Sequence, residues 1–405
     1  MLKLRYLTRV MLRIMLLALP GAILAFALLI GYLSVQRNTP LSLPLPTGRY
    51  AVGRALYDWV DTSRVDSLSD QPNQKRELVV WVWYPAHVDS PGTPAPYLPA
   101  AWTQARDHDQ GVGVLLEHNF ASIQTHSFAN APLASTPSSY PILIMEPGMG
   151  PIATDYTVLA ENLASQGYIV VGINPTYTPF ITVFPDGRIA PRSSKGSIPD
   201  TADPVTADRD AQVIMSVWAD DVVFVMNQLA TLNGDKASPF YTRLDLGHIG
   251  VFGHSFGGAT AIAVCQRDAR CKAGADIDGT PWGDGKSRVV SQPFMFITED
   301  YTRGCDSNCT AMKQAYALVN GGAAYWLSVK GTRHFNFSDL PLRQLPVVRP
   351  LFAVAGLIGS IDPARALQVA DAYLVAFFDE YLKNRDSSLL TGPSPDFPEA
   401  QFSRR

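Results

Sequence analysis

Hydrophobic residues along the chain form short runs that alternate with longer amphipathic stretches. Two runs near the start, Arg49–Trp59 and Glu77–Tyr84, predict an antiparallel pair of strands. Further runs predict six buried strands, which are Tyr140–Met145, Ile169–Ile173, His248–Phe252, Lys272–Ile277, Pro293–Thr298 and Ala324–Val329. Between and after them, helical periodicity covers Asp155–Gln166, Ala207–Leu232 and Pro363–Leu382. This alternation predicts an α/β fold with a mainly parallel central sheet flanked by helices.

Three segments show no clear periodicity. Ala86–Ser139 and Thr176–Pro204 are rich in proline, serine, threonine and aromatic residues, and we expect them to surround the opening of a functional site. The third segment, Leu340–Gly359, is apolar. It fits a lid, a substrate wall, a membrane-contact patch or ordinary buried packing.

The N-terminal region has the pattern of a membrane anchor. Residues 14–35 are uncharged and almost wholly apolar, and as a helix they would span about 33 Å, enough for a bilayer core of about 30 Å. A basic flank at residues 1–13 precedes this run, which predicts that the flank stays in the cytoplasm. The alternative is a cleavable signal peptide, whose apolar region is usually shorter and ends in a small-residue cleavage site. We favour a retained single-pass anchor in the plasma (inner) membrane, with the rest of the chain on the periplasmic or extracellular side.

The remaining boundaries follow from composition. Residues 36–47 are a Pro-rich linker, residues 48–388 are the folded domain, and residues 389–405 are a C-terminal tail. The 405 residues are 47 % hydrophobic and 17 % charged, which suits one large globular domain. A net charge of −3 gives no electrostatic footprint for nucleic acid.

The four cysteines fall into two close pairs, Cys265 with Cys271 and Cys305 with Cys309. Two short-range disulfides suit an oxidising compartment, although four cysteines permit three pairings. A zinc site is the weaker alternative, because the spacings are unusual and no histidine is local to either pair.

The most informative motif is Gly253-His254-Ser255-Phe256-Gly257. It lies between an apolar strand and a helix of small residues, which is the context of a nucleophile elbow. The motif predicts Ser255 as a catalytic nucleophile. We expect the neighbouring His254 to be structural, shaping the elbow.

A serine nucleophile needs a base and an acid, which follow in the order serine, acid, histidine in folds with this elbow. After His254 the sequence holds one histidine, His334, in a loop after the last predicted strand. The acid is Asp276, Asp278 or Asp300, each near the end of a strand. Alternation places Asp276 and Asp278 on the same side, so the pleat does not separate them, but Asp278 is nearer the strand's end and better placed.

Two backbone amides are expected to bind the developing oxyanion. One belongs to Phe256, directly after the nucleophile. The other is expected in the loop Glu146–Gly150 after an earlier strand, with the N–H of Met149 as the candidate.

At these motifs the chain resembles the α/β-hydrolase group that contains plasma-type (group VII) platelet-activating-factor acetylhydrolases, bacterial esterases, dienelactone-hydrolase-like proteins and polyester hydrolases. The matching stretches are the elbow, Ile277-Asp278-Gly279 and Gly331–Asp339, and the similarity covers roughly residues 75 to 385. The resemblance implies that Asp278, rather than Asp300, is the acid. The chain departs from the family pattern at Glu146-Pro147, where the family usually has His-Gly before the oxyanion loop.

The resulting hypothesis is a membrane-anchored serine carboxylic-ester hydrolase that needs no metal or organic cofactor. Its expected substrate is a small-molecule or lipid ester, of the 1-alkyl-2-acetylglycerophosphocholine type by resemblance. Alternatives on the same machinery are a polyester or dienelactone-type hydrolase, a serine peptidase or an acyltransferase. A non-catalytic binding protein of the same fold is the remaining alternative.

Overall fold

The computed structural model describes residues 2–87, 92–199, 201–302 and 304–405, without the side chains of residues 2–18 and 284. The helices, in chain order, are α1 Leu2–Arg37, α2 Ala100–Gln110, α3 Thr157–Ser165, α4 Pro204–Gly234, α5 Phe256–Cys265, α6 Ser307–Ala317, α7 Leu340–Arg343, α8 Arg349–Val354 and α9 Pro363–Lys383. The strands are β1 Leu41–Ser42, β2 Ala51–Val65, β3 Lys75–Ala86, β4 Pro94–Pro96, β5 Ile123–Ala129, β6 Tyr140–Glu146, β7 Ile169–Asn174, β8 Ile181–Val183, β9 Ile189–Pro191, β10 Leu244–His254, β11 Cys271–Ile277, β12 Phe294–Thr298, β13 Ala324–Val329 and β14 Ala400–Arg404.

One large sheet organises the domain. Its strand order is β1-β5-β2-β3-β7-β6-β10-β11-β12-β13-β14, with β4 paired to β5. The six strands from β7 to β13 in this order run parallel, and β2–β3 is the predicted antiparallel pair. The predicted fold class is therefore confirmed. Because parallel strands end at the same edge, the loops after β6, β10, β11 and β13 meet there.

Both faces of the sheet are covered by helices. Along β10, Val251 packs into the core that includes α4 and α5, whereas Phe252 packs into the core that includes α3 and α9. The two neighbours face opposite sides because side chains alternate along a strand. The central strands are buried on both faces, which explains why their sequences read as continuous apolar runs.

Several elements lie where the sequence shows no periodicity. Ala86–Ser139 contains α2, β4 and β5, and β5 adds to the sheet beside β2. Thr176–Pro204 contains the β8–β9 hairpin. The residues predicted as a C-terminal tail include β14, which pairs antiparallel with β13 and forms the edge of the sheet.

The helix α1 is long and apolar enough over Leu19–Arg37 to cross a membrane, with a mean hydropathy of 1.8. The side chains of the predicted basic flank, residues 1–13, lie outside the described residues. The last turns of α1 contact the domain: Leu33 packs against Leu345 and Val348, and the Arg37 guanidinium lies 2.8 Å from the Asp107 carboxylate. The domain thus holds the end of α1 in place. A second helix, α4, passes the same length test, but half of it is buried in the core.

Disulfides join Cys265 to Cys271 and Cys305 to Cys309. These are the two short-range pairs that the spacing favours. The first connects the end of α5 to the start of β11, and the second lies at the start of α6.

A buried ion-pair cluster joins β3 to α4. The guanidinium of Arg76 is 3.0 Å from Asp66 and 2.6 Å from Asp221, and all three side chains are almost fully buried. Arg64 adds a second cation against Asp221. Each buried charge therefore has a partner of opposite sign.

Candidate active site

Ser255 stands on a sharp turn between β10 and α5. Its φ is +56°, a conformation that non-glycine residues rarely adopt. Glycines surround the turn because no side chain fits. A Cβ on Gly253 would lie 2.4 Å from the backbone of Gly257, and one on Gly257 would lie 2.3 Å from the carbonyl oxygen of Glu146. The geometry is that of a nucleophile elbow, as the motif predicts.

Ser255, His334 and Asp278 lie in hydrogen-bonding contact. The Ser255 hydroxyl is 2.9 Å from His334 Nε2, and His334 Nδ1 is 2.7 Å from Asp278 Oδ2. The second Asp278 oxygen accepts the backbone N–H of Glu299 at 2.9 Å, which holds the carboxylate in place. The three residues are contributed by the loops after β10, β11 and β13, which meet at one edge of the sheet.

The electrostatics of His334 favour a proton on the imidazole. Burial lowers the pKa of His334, but the hydrogen bond and charge of Asp278 outweigh it, with a smaller contribution from Glu299, so that the pKa lies above its ordinary value. The neutral imidazole, which alone can accept a proton, therefore forms only as the pH rises through this raised value.

The other two candidate acids have different partners. Asp300 accepts the N–H of Gly331 at 2.8 Å and that of Thr302 at 2.9 Å, so its carboxylate caps the loop before His334. Asp276 is fully buried and accepts the N–H of Gly279 at 2.8 Å. Burial raises the pKa of Asp276 well above its usual range. In the structure, Asp278 is the candidate that contacts the imidazole.

The two predicted oxyanion donors, Met149 and Phe256, both line the cleft that contains Ser255. Phe256 is the first residue of α5, where a helix leaves its N–H groups without intrahelical partners. The N–H of Met149 has no backbone or side-chain acceptor among the described residues. A Cβ built on Gly148, the residue before Met149, would lie 3.4 Å from the Cβ of Ser255, so this loop packs directly against Ser255.

Glu146, where the sequence departs from the family pattern, is buried beneath the elbow. Neither of its carboxyl oxygens has a hydrogen-bond partner among the described residues. Burial raises the pKa of Glu146 well above its usual range, and Asp221 adds to the effect. Burial therefore favours the neutral form of this carboxyl group.

A cleft of about 510 Å³ opens beside Ser255. Apolar and polar side chains share its lining, which comprises Met149, Ile198, Phe256, Thr280, Trp282, Glu299, Tyr301, Asp306 and Asn308 around Ser255, Asp278 and His334. Ile198 comes from Thr176–Pro204, one of the segments expected at the opening. None of the described residues that line the cleft comes from Leu340–Gly359. That segment instead buries Leu345 against α1 and exposes Leu351 and Val354.

No group of three or more histidine, cysteine, aspartate or glutamate side chains is arranged to hold a metal ion in the part of the chain that the structure describes. The polar groups of the cleft belong to the elbow, its two partners and the rim.

Two further residues, Tyr156 and His254, lie at the site. The sequence predicts that His254 shapes the elbow and gives no signal for Tyr156. In the structure both are buried beside Ser255 and hydrogen-bond to each other at 2.8 Å. The one signal for His254 in the sequence is its place beside Ser255. Tyr156 ends the short 3-10 helix Ala153–Tyr156 before α3 and belongs to no motif.

The chain is similar to several known proteins. The sequence model of the family "platelet-activating factor acetylhydrolase, isoform II" matches residues 36–176 and 227–389. A probable 1-alkyl-2-acetylglycerophosphocholine esterase of Arthroderma benhamiae is 29 % identical over 392 residues, covering 89 % of this chain and 93 % of that protein. The platelet-activating factor acetylhydrolase of Cavia porcellus is 24 % identical over 391 residues, covering 87 % and 81 %. Among solved structures, a ferulic acid esterase from Streptomyces cinnamoneus superposes with a TM-score of 0.73 at 29 % identity, covering 90 % of this chain and 99 % of that one.

Proposed function

The chain belongs to the platelet-activating factor acetylhydrolase, isoform II, family, and we propose that within it the protein is a serine carboxylic-ester hydrolase with Ser255 as nucleophile. The observation that carries this assignment is the continuous hydrogen-bonded series from the Ser255 hydroxyl through His334 to Asp278 beside an open cleft. The relatives are named as esterases and acetylhydrolases, which supports the same reaction class.

The reaction proceeds through an acyl-enzyme. His334 Nε2 takes the Ser255 proton as the oxygen attacks the ester carbonyl, and Asp278 stabilises the imidazolium. The N–H groups of Met149 and Phe256 bind the oxyanion. His334 then gives its proton to the departing alcohol. Water then attacks the acyl carbon while the imidazole takes one of its protons. His334 returns that proton to the Ser255 oxygen as the bond to the acyl group breaks and the carboxylic acid leaves.

The substrate class is a hydrophobic or lipid-like ester. Met149, Ile198 and Trp282 give the cleft apolar surface, and the relatives' names point to an acetylated alkyl glycerophosphocholine. An aromatic ester is the second candidate, because the structural neighbour is a ferulic acid esterase and the cleft presents the rings of Phe256 and Trp282. Hydrolysis rates on 1-alkyl-2-acetylglycerophosphocholine, its long-acyl analogue and methyl ferulate would rank the two candidates.

The test of the reaction class is Ser255→Ala, assayed with a short-chain chromogenic ester and a fluorophosphonate probe. We expect activity to fall about 10⁴-fold or more and labelling to disappear, because no other group replaces the nucleophile. Ser194→Ala, at an exposed serine, is the matched control and should behave as wild type. Near-normal activity of Ser255→Ala would overturn the assignment.

We also propose that α1 is a retained anchor in the inner membrane, with the catalytic domain on the periplasmic or extracellular face. The apolar stretch Leu19–Arg37 and the contacts of Leu33 and Arg37 with the domain support retention, since cleavage would remove part of the folded contact. Alkaline extraction should leave the chain in the membrane fraction, and protease added outside should reach the domain. A mature N-terminus after residue 35 would contradict the anchor.

A further inference from the structure

Three consecutive hydrogen bonds cross the floor of the site behind Ser255. His254 Nε2 lies 2.9 Å from the carbonyl oxygen of His334, and His254 Nδ1 lies 2.8 Å from the Tyr156 hydroxyl. The same hydroxyl accepts the backbone N–H of Gly148 at 3.0 Å. The series therefore connects the loop of the proposed base with the loop of the proposed oxyanion donor.

The chemistry of the end groups fixes the direction of every bond. The His334 carbonyl can only accept, so His254 Nε2 carries the hydrogen. Nδ1 of the neutral ring then accepts from the Tyr156 O–H, and the lone pair of that oxygen accepts from Gly148. Burial and the neighbouring His334 hold the pKa of His254 well below its ordinary range, which keeps the ring neutral. No donor or acceptor in the series is left without a partner.

The series lies immediately against the reacting group without entering the cleft. His254 and Tyr156 are 2 % and 1 % exposed, and neither is among the described residues that line the cleft. A Cβ on Gly148 would lie 3.2 Å from the Tyr156 hydroxyl oxygen and 3.4 Å from the Ser255 Cβ. The hydroxyl therefore touches the loop at the point where it packs over the nucleophile.

We propose that Tyr156 and His254 are positioning residues that hold the imidazole of His334 and the amide of Met149 at a fixed separation across Ser255. The Gly148 N–H donates to the Tyr156 hydroxyl, so it cannot also donate to the oxyanion. The same hydrogen bond restrains the loop, which leaves the N–H of the following residue, Met149, available to the oxyanion. On the other side, the bond from His254 restrains the backbone that carries the imidazole. This role rests on the proposed function.

The alternative is that both side chains only fill the core. Tyr156→Phe distinguishes the positioning role from simple core packing. It removes only the hydroxyl oxygen and keeps the ring, whose centroid lies 5.6 Å from that of the His254 ring. The matched control is Tyr140→Phe, at an equally buried tyrosine on β6 whose hydroxyl bonds to the carbonyls of Ala134 and Thr136.

The experiment measures kcat and KM on a short-chain ester, the second-order rate of fluorophosphonate labelling, and the melting temperature. For Tyr156→Phe we expect a 10- to 100-fold loss in kcat and in labelling rate with KM within about 2-fold, since small misplacements of reacting groups cost about that much. Both tyrosine variants should lose similar, small amounts of thermal stability. The double variant with His254→Gln should lose less than the product of the single losses, because the two residues act in one series.

Tyr156→Phe with wild-type kcat and labelling rate would overturn the positioning role. So would an equal loss of kcat in Tyr140→Phe. A wild-type protein that neither reacts with the probe nor hydrolyses esters would instead refute the proposed function, and with it the positioning role.

Discussion

The assignment of the triad acid leads to the sharpest prediction. In Asp278→Asn the amide replaces a carboxylate that lies 2.7 Å from His334 Nδ1. An amide N–H that faces Nδ1 favours the His334 tautomer with hydrogen on Nε2. Because Nε2 lies 2.9 Å from the Ser255 hydroxyl, that tautomer has no lone pair to accept the serine proton. The charge that stabilises the imidazolium is lost as well. In chymotrypsin-like proteases the equivalent change costs about 10⁴ in kcat, or roughly 5.5 kcal/mol at 1.36 kcal/mol per factor of ten.

Steady-state kinetics on a chromogenic ester measures the loss, and we expect KM to change little because Asp278 acts through His334. Two matched controls are available. Asp300→Asn keeps an oxygen that accepts from Gly331, and Asp276→Asn replaces an acid that burial already favours in its neutral form. Each control should lose less than about 10-fold. A larger loss in Asp300→Asn than in Asp278→Asn, with both variants folded by circular dichroism, would refute the assignment.

Two further predictions concern pH and stability. Glu299→Gln should move the acidic limb of the kcat/KM profile to lower pH. The Glu299 charge helps to raise the pKa of His334, and activity is lost as the pH falls through that pKa. An acidic limb that stays in place or moves to higher pH would contradict this prediction. Arg76→Met leaves two buried carboxylates without their shared cation and should lower the free energy of unfolding in urea by about 3–5 kcal/mol. The exposed pair of Arg209 gives the control, since Arg209→Met should cost less than about 1 kcal/mol, and equal losses would argue against the buried network.

The parts of the fold that the sequence predicted are those with local, strongly apolar signals. The central strands β6, β7 and β12 are buried along their whole length, so each appears as a nearly continuous apolar run. The elbow also has a clear sequence signal. Close backbone contacts exclude side chains at Gly253 and Gly257, so both positions are glycine in the motif. Chain order then left His334 as the one histidine available.

The parts that escaped prediction depend on contacts distant in sequence. β5 pairs with β2 some seventy residues earlier, and β14 is an edge strand whose residues are mostly exposed, so neither has a periodic apolar signal. The sequence gives no signal for Tyr156 for the same reason. Its proposed role depends on contacts with Gly148 and His254, which come together only in the folded chain. The catalytic roles of Ser255, Asp278 and His334 remain predictions that the variants above test.

The two aspartates at the end of β11 show why pleat alternation could not choose the acid. Alternation applies only while the chain is extended, and β11 ends at Ile277, where Asp278 turns to a φ of +55°. Asp276 therefore keeps its strand orientation and lies beneath the elbow, where a Cβ on Gly258 would come within 1.9 Å of its oxygen. Asp278 leaves the strand and reaches the imidazole. The Asp276 side chain accepts the N–H of Gly279 and so stabilises the turn. The turn in this position places Asp278 against His334. We infer that Asp276 supports the turn, whereas Asp278 interacts with the imidazole.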